Sequence, residues 1–365
     1  MPNTNELKYL VSFCKIPGIG RVRLAQIQHY FPGLEQAWKA PAGELKKAGL
    51  DQHTIATITA SRTKINPDEE MAKLENLNVH ALSYTAPEYP KMLKEIDDYP
   101  PLLYARGQFP LDDAYCLSVV GTRHSTMYGR QVTEDIVTYL ARSGITIISG
   151  LAKGIDTIAH KSALNAGGRT IAVFACGLDL VYPAENARLA HDIMEHGALV
   201  SEYPLGTRPK PDHFPRRNRI MSGMSLGIIV IEAGEHSGAL ITANQAVEQN
   251  REVFAVPGSI LSTASKGTNR LIQEGAKLVR NAADILEELN LSIVTHHLEM
   301  PACNPANEIE ATLLQHLSAE PLHIDELCRR SRMPFSQVSS TLSMMELNGI
   351  VKQVGSMHYT LSKSI

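Results

Sequence analysis

The sequence predicts an α/β fold: a mostly parallel central sheet, preceded by a small helical segment and followed by a winged helix. Three observations predict it. Short apolar runs alternate with amphipathic helical stretches from Ala114 to about Leu289, the pattern of a parallel sheet covered by helices on both faces. Short helical stretches separated by Gly and Pro fill Asn5 to about Lys64. Three helical stretches and a hairpin pattern occupy Glu308 onward. A chain of 365 residues exceeds what one core serves, so several domains are expected. The boundaries fall at residues 1–65 (helical), 66–294 (sheet), 295–307 (linker) and 308–365 (winged helix).

In the first segment Leu24, Ile27, Trp38, Leu45, Ile55 and Ile58 recur at helical spacing. Ile16-Pro17-Gly18-Ile19-Gly20, followed by Arg21, has the shape of a SAM- or helix-hairpin-helix-like turn that aims amides at a phosphate. It equally fits a plain turn between packing helices, and the sequence leaves both open. Val79 to Tyr84 and Leu102 to Ala105 read as edge strands leading into the sheet.

The core strands are Cys116 to Val120, Ile145 to Ile148, Thr170 to Phe174, Ala198 to Ser201, Gly227 to Ile231 and Glu252 to Ala255. Each is a short apolar run closed by Gly, Ser or Pro. Tyr128 to Arg142 and Ala239 to Gln249 are expected helices between them. Thr295 to Asn307 has neither period and reads as a linker, its His296 and His297 included. Beyond it, Glu308 to Leu317, Ile324 to Arg330 and Phe335 to Leu347 are helical. Gly349 to Val354 and His358 to Leu361 then pair around Gly355. The third helix sets Val338, Leu342 and Met345 against Ser336, Gln337, Ser339 and Ser340 and carries no Lys or Arg, which gives duplex reading little support.

Net charge is −3, so any affinity for a polyanion must come from local clusters. The five cysteines are widely spaced and predict buried, reduced thiols rather than a metal site or disulfides. No apolar run reaches the length of a membrane span, and no signal peptide is legible; the expectation is a cytoplasmic protein.

In an open parallel sheet, ligands settle beyond the carboxyl ends of the strands. The loops there carry Gly121, Thr122 and Arg123, then Ser149, Gly150, Lys153, Gly154 and Asp156, then Lys210, Phe214, Arg216, Arg217, Asn218 and Arg219. Ser237 and Gly238 follow the fifth strand, and Lys266, Gly267 and Asn269 the sixth. Ser149 to Asp156 has the form of a phosphate cradle at a helix start, with Asp156 as its brace. The cations exceed what one dinucleotide needs and suit an extended polyanion, and Phe214 offers a face to an unstacked base. Neither G-x-G-x-x-G nor G-x-x-x-x-G-K-[ST] is present, and Asp156, Asp179, Glu202 and Glu232 match no catalytic pair. No catalytic residue, metal or cofactor is expected.

The stretch from Val119 to Asn269 resembles the family of DNA processing protein A, also called DprA or Smf. The resemblance rests on Val120-Gly121-Thr122-Arg123, Ser149-Gly150-Leu151-Ala152 with Gly154-Ile155-Asp156, Ala159-His160, Tyr182-Pro183, Ser201-Glu202-Tyr203-Pro204, Phe214-Pro215-Arg216-Arg217-Asn218-Arg219-Ile220 and Ser237-Gly238 with Thr242-Ala243. It implies a Rossmann-like core and a non-enzymatic recombination mediator that binds single-stranded DNA, forms a homodimer and loads RecA recombinase during natural transformation. Related Rossmann-like phosphoribohydrolases, similar to the cytokinin-activating LOG family, supply the enzymatic alternative. Their P-G-G-x-G-T-x-x-E loop corresponds here to Ala233 to Ile241, with an apolar residue near the glutamate position.

Overall fold

The computed structural model describes residues 4–108, 111, 113, 115–291, 308–317, 322–347, 350–353 and 357–361. The expected linker and the Gly349, Val354 and Gly355 positions of the hairpin lie outside the described residues. The chain divides into two compact units, Met1–Thr295 and His296–Ile365.

The first unit opens with helices α1 (Thr4–Cys14), α2 (Arg21–Tyr30), α3 (Leu34–Lys39), α4 (Ala42–Lys47), α5 (Gln52–Arg62) and α6 (Pro67–Asn76). Side chains fix their starts where the sequence offers them. Asp51 accepts the Thr54 amide at 2.8 Å, and Asn66 caps a helix with Pro67 in its first turn and three acidic residues there. The alternating region follows: β1 (His80–Ser83), α7 (Lys91–Lys94), β2 (Leu102–Gly107), β3 (Cys116–Val120), α8 (Met127–Arg142), β4 (Thr146–Ser149), α9 (Ile155–Asn165) and β5 (Thr170–Phe174). Then come α10 (Ala187–His196), β6 (Ala198–Ser201), α11 (His213–Gly223), β7 (Gly227–Val230), α12 (Gly238–Glu248), β8 (Glu252–Ala255), α13 (Lys266–Gln273), β9 (Lys277–Leu278) and α14 (Ala282–Glu288).

The strands form one nine-stranded sheet in the order β1-β2-β6-β5-β4-β3-β7-β8-β9. From β6 to β9 every pairing is parallel, and β2 and β1 add an antiparallel ribbon beside β6. The period of two separates the faces. In β5, Ile171 and Val173 pack with Ile220 and Met221 of α11, while Ala172 and Phe174 pack with Leu189 and Ile193 of α10. That second cluster also contains Phe13, Ile27, Trp38, Leu45 and Ile58, so the amino-terminal helices share an apolar core with the sheet.

Two segments differ from the sequence reading. Phe214 to Arg219 lies within α11, and Lys266 to Asn269 begins α13, where loops are expected. Pro215 misleads here: in a first helical turn its missing N–H costs nothing. Cys116 and Cys176 are buried, whereas Cys14 and Cys328 are partly exposed; none of these four is in a disulfide. Among the described residues no helix is long and apolar enough to cross a membrane.

The second unit contains α15 (Glu308–Leu314), β10 (Leu322–His323), α16 (Ile324–Ser331), α17 (Phe335–Leu347), β11 (Val351–Gln353) and β12 (His358–Leu361). The strands pair antiparallel in the order β10-β12-β11, against a core of Leu313, Leu327, Val338, Leu342, Met345 and Tyr359. This is a winged helix. Ser336 and Ser340 are exposed on α17, and Arg329 and Arg330 both pair with Glu326 of their own helix.

Candidate nucleic-acid interface

The strand order reverses beside β3. From β3 the chain builds outward through β4, β5 and β6, then returns to place β7 on the other side of β3. The loops leaving β3 and β7 therefore diverge and open a crevice at the carboxyl end of the sheet. A cleft of about 500 Å³ lies there. Gly121, Thr122, Arg123 and His124 line it from β3, Ala152 and Asp156 from β4, Phe214, Arg217 and Asn218 from α11, and Gly234, His236, Ser237, Gly238, Ile241 and Thr242 from β7 and α12.

Its mouth is cationic and aromatic. Arg123 is exposed, with its guanidinium 5.5 Å from the Phe214 ring centroid. Phe214 in turn meets Tyr182, 5.8 Å away, which is 49% exposed. Ser237 caps α12, accepting the Ala239 amide at 3.3 Å, and the first turn of that helix borders the cleft. A helix start of this kind favours an anion.

Behind the mouth, a buried cation and a buried anion hold the loop after β4. Arg217 Nη1 donates to the Gly150 carbonyl at 2.7 Å and to the Val173 carbonyl, and Nε donates to Asn218 Oδ1 at 3.1 Å. A side chain at position 150 would collide with that guanidinium. The Asp156 carboxylate accepts the Gly150 and Ala152 amides at 3.2 and 3.3 Å. Burial raises the Asp156 pKa, with the Arg217 charge opposing it; burial lowers that of Arg217, with Asp156 opposing. The expected phosphate cradle is thus in part an internal brace, because two of its amides already donate to Asp156. Gly154, at φ +78°, lets the start of α9 press against the Thr122 and Arg123 backbone, which any Cβ would strike.

Other predicted residues sit outside the cleft lining. Ser149 is buried and donates to the Val119 carbonyl at 2.7 Å. Lys153 pairs with Glu185 at 2.6 Å and Lys266 with Glu235 at 3.3 Å, both in exposed positions where such pairs are weak and exchangeable. The Gly267 amide donates to the Ala233 carbonyl, and Asn269 clamps both the amide and carbonyl of Gly258 at 3.1 and 3.0 Å. Lys210 is exposed and borders no part of this cleft. Arg219 is tied to Glu202 and, at 3.3 Å, to Asp98, and it faces a different cleft.

Sequence reasoning assigns no role to Tyr182, His124 or His236. Tyr182 is within its reach, since Tyr182-Pro183 stands among the family hallmarks. Glu232, the carboxylate nearest the enzymatic alternative, is buried and accepts the Thr126 amide at 3.0 Å and the Thr126 hydroxyl at 2.6 Å. Both oxygens serve the start of α8, with Gly129 giving them room, and neither is offered to the cleft.

Comparison with known proteins gives a consistent picture. The family model of DNA recombination-mediator protein A matches residues 80–290, and that of the DprA winged helix domain matches 299–356. The chain is 34% identical to Protein Smf of Synechocystis sp., over 97% of this chain and 98% of that protein. It is 42% identical to DNA processing protein DprA of Bacillus subtilis, over 69% of this chain and 88% of that one. The structure of DNA processing protein A from Streptococcus pneumoniae superposes with a TM-score of 0.68 at 38% identity, covering 77% of this chain and 97% of that one. That of the Helicobacter pylori protein, described for its single-stranded DNA binding mode, gives 0.54 at 30% identity, covering 59% and 97%.

Proposed function

The chain belongs to the DNA recombination-mediator protein A family, the DprA and Smf proteins, and on that premise we propose that it binds single-stranded DNA in the switch-point cleft without reacting with it. One observation carries the reading: an exposed cation, Arg123, covers the half-buried Phe214 ring in the lining of an open cleft, and that ring in turn meets exposed Tyr182. A single strand offers both a phosphate for the arginine and an unstacked base for the rings, whereas a duplex keeps its bases stacked. The single-strand binding described for the Helicobacter pylori relative agrees with it.

Family membership supports a fuller role. The protein holds incoming single strands in the cytoplasm as a homodimer and passes them to a RecA-type recombinase during natural transformation. Arg123, Phe214 and Asn218, with Ser237 and Gly238, contact the strand; Arg217 and Asp156 hold the loop beneath it. Lys153, Lys210 and Lys266 attract the strand around the cleft.

The deciding experiment is a titration of single-stranded against duplex DNA at two salt concentrations, with the Arg123→Ala variant beside the unaltered protein. Preference for single strands, abolished with the arginine, supports the reading; equal affinity for both forms sinks it. Removing residues 296–365, outside the first compact unit, and measuring DNA and RecA binding separately tests whether the winged helix serves the partner rather than the strand.

A further inference from the structure

Helix α11 is the wall of two clefts. Phe214 and Arg217 border the switch-point cleft, while Arg216 and Arg219 border a second one of about 680 Å³, closed on its far side by the turn between α1 and α2 and by Tyr99. We propose that this second cleft grips the sugar-phosphate backbone of the same single strand where it leaves the first. The proposal rests on the single-strand reading above and extends its footprint.

The turn is built to present backbone. Ile16 and Ile19 are buried and anchor it, the Ile19 amide bonds the Ile16 carbonyl at 3.1 Å, and Gly18 adopts φ +83°. Gly20 then starts the ten-residue α2 with no side chain capping its amides, and Gly20, Arg21, Val22 and Arg23 line the cleft.

The charges around it are unequal. The two carboxylates of the cleft, Asp98 and Glu202, are both engaged by Arg219, and Arg23 is spent on the Gly18 carbonyl and Asp51. Arg21 lies over the Tyr99 ring at 5.2 Å, Arg216 is exposed, and neither has an ion pair among the described residues. Arg219 Nη1 is buried without a hydrogen-bond partner. Two cations outside any ion pair among the described residues, Arg21 on the Tyr99 ring and Arg216 acting on Glu202 only through space, are therefore available to an anion beside the start of α2, with Arg216 next in sequence to the Arg217 that backs the first cleft. A polyanion strand threading past α11 meets both in turn.

The test uses the full chain with Arg21→Ala and Arg216→Ala combined, and fluorescent oligothymidylates of about 6 and about 16 nucleotides, bracketing single-strand site sizes. Binding of the long probe weakens at low salt, and its salt-dependence slope falls by about 0.7 for each phosphate that the variant no longer neutralises. The short probe is unaffected, and Arg→Lys at both positions restores the slope. Equal weakening on both lengths, weakening confined to duplex DNA, or no change at all overturns the proposal. Arg123→Ala separates the two ideas, because it weakens both probes if the main reading holds and neither if that reading is the one that fails.

Discussion

The Arg123 guanidinium lies over the Phe214 ring, 5.5 Å from its centroid, although the two residues come from different strand ends. The pairing joins the loop after β3 to the helix that precedes β7, and the two groups divide the proposed work into charge and stacking.

Arg123→Ala should weaken single-strand binding and flatten its salt dependence by about 0.7 in slope, since one phosphate is left to its counterions. Titrations at three salt concentrations measure this. An unchanged slope would mean that Arg123 holds Phe214 and nothing else.

Phe214→Ala should cost about 1 to 3 kcal/mol of binding if one base stacks there, with the slope unchanged. Tyr182→Ala should show the same signature with a smaller loss, because it meets Phe214 from the side. Affinity equal to the unaltered protein in both variants would assign the pair to packing.

Arg217→Ala should damage stability rather than binding alone. It leaves the Gly150 and Val173 carbonyls unpaired and the Asp156 carboxylate without its opposing charge, a loss of about 3 kcal/mol or more. Urea unfolding reads the change directly. A variant as stable as the parent would show that the loop after β4 holds itself.

Acid should destabilise the fold through His160. The Thr170 hydroxyl donates to the Ile147 carbonyl at 2.7 Å and so accepts the His160 Nδ1 proton at 2.7 Å, while Nε2 is buried without a hydrogen-bond partner. Burial, with the Arg217 charge adding to it, pushes the imidazole pKa down from 6.5 to about 3. The unfolded chain therefore gains a proton below pH 6.5 that the folded chain refuses. Stability attributable to this group is full above pH 6.5 and falls by about 1.4 kcal/mol per pH unit as the pH drops toward 3. His160→Phe should remove that slope, read as the difference between the two proteins' denaturation midpoints at pH 7, 5 and 4; parallel midpoints would refute it.

The strands are the most legible part of the sequence. β3, β5, β6 and β8 run between the residues expected, because short apolar runs closed by Gly, Ser or Pro leave little choice of boundary. β9, two residues long and exposed, carries no such pattern. Legibility of the site stops at side-chain direction. Arg216, Arg217 and Arg219 look alike in sequence, yet one is exposed, one buried and one ion-paired, because a helix turns consecutive residues about 100° apart and only the packing of α11 decides which faces what. The bracing role of Asp156 can be read from its position at a helix start; its consumption of the cradle's own amides cannot, because that depends on how tightly the loop closes over the carboxylate.

Glu232 gives the cleft its final property. By receiving both donors of Thr126 at the end of β7, it rivets the two banks of the crevice to one another before any guest arrives. If a single strand binds here as proposed, little is spent on ordering this edge of the cleft, and the rate of capture should follow diffusion and ionic strength.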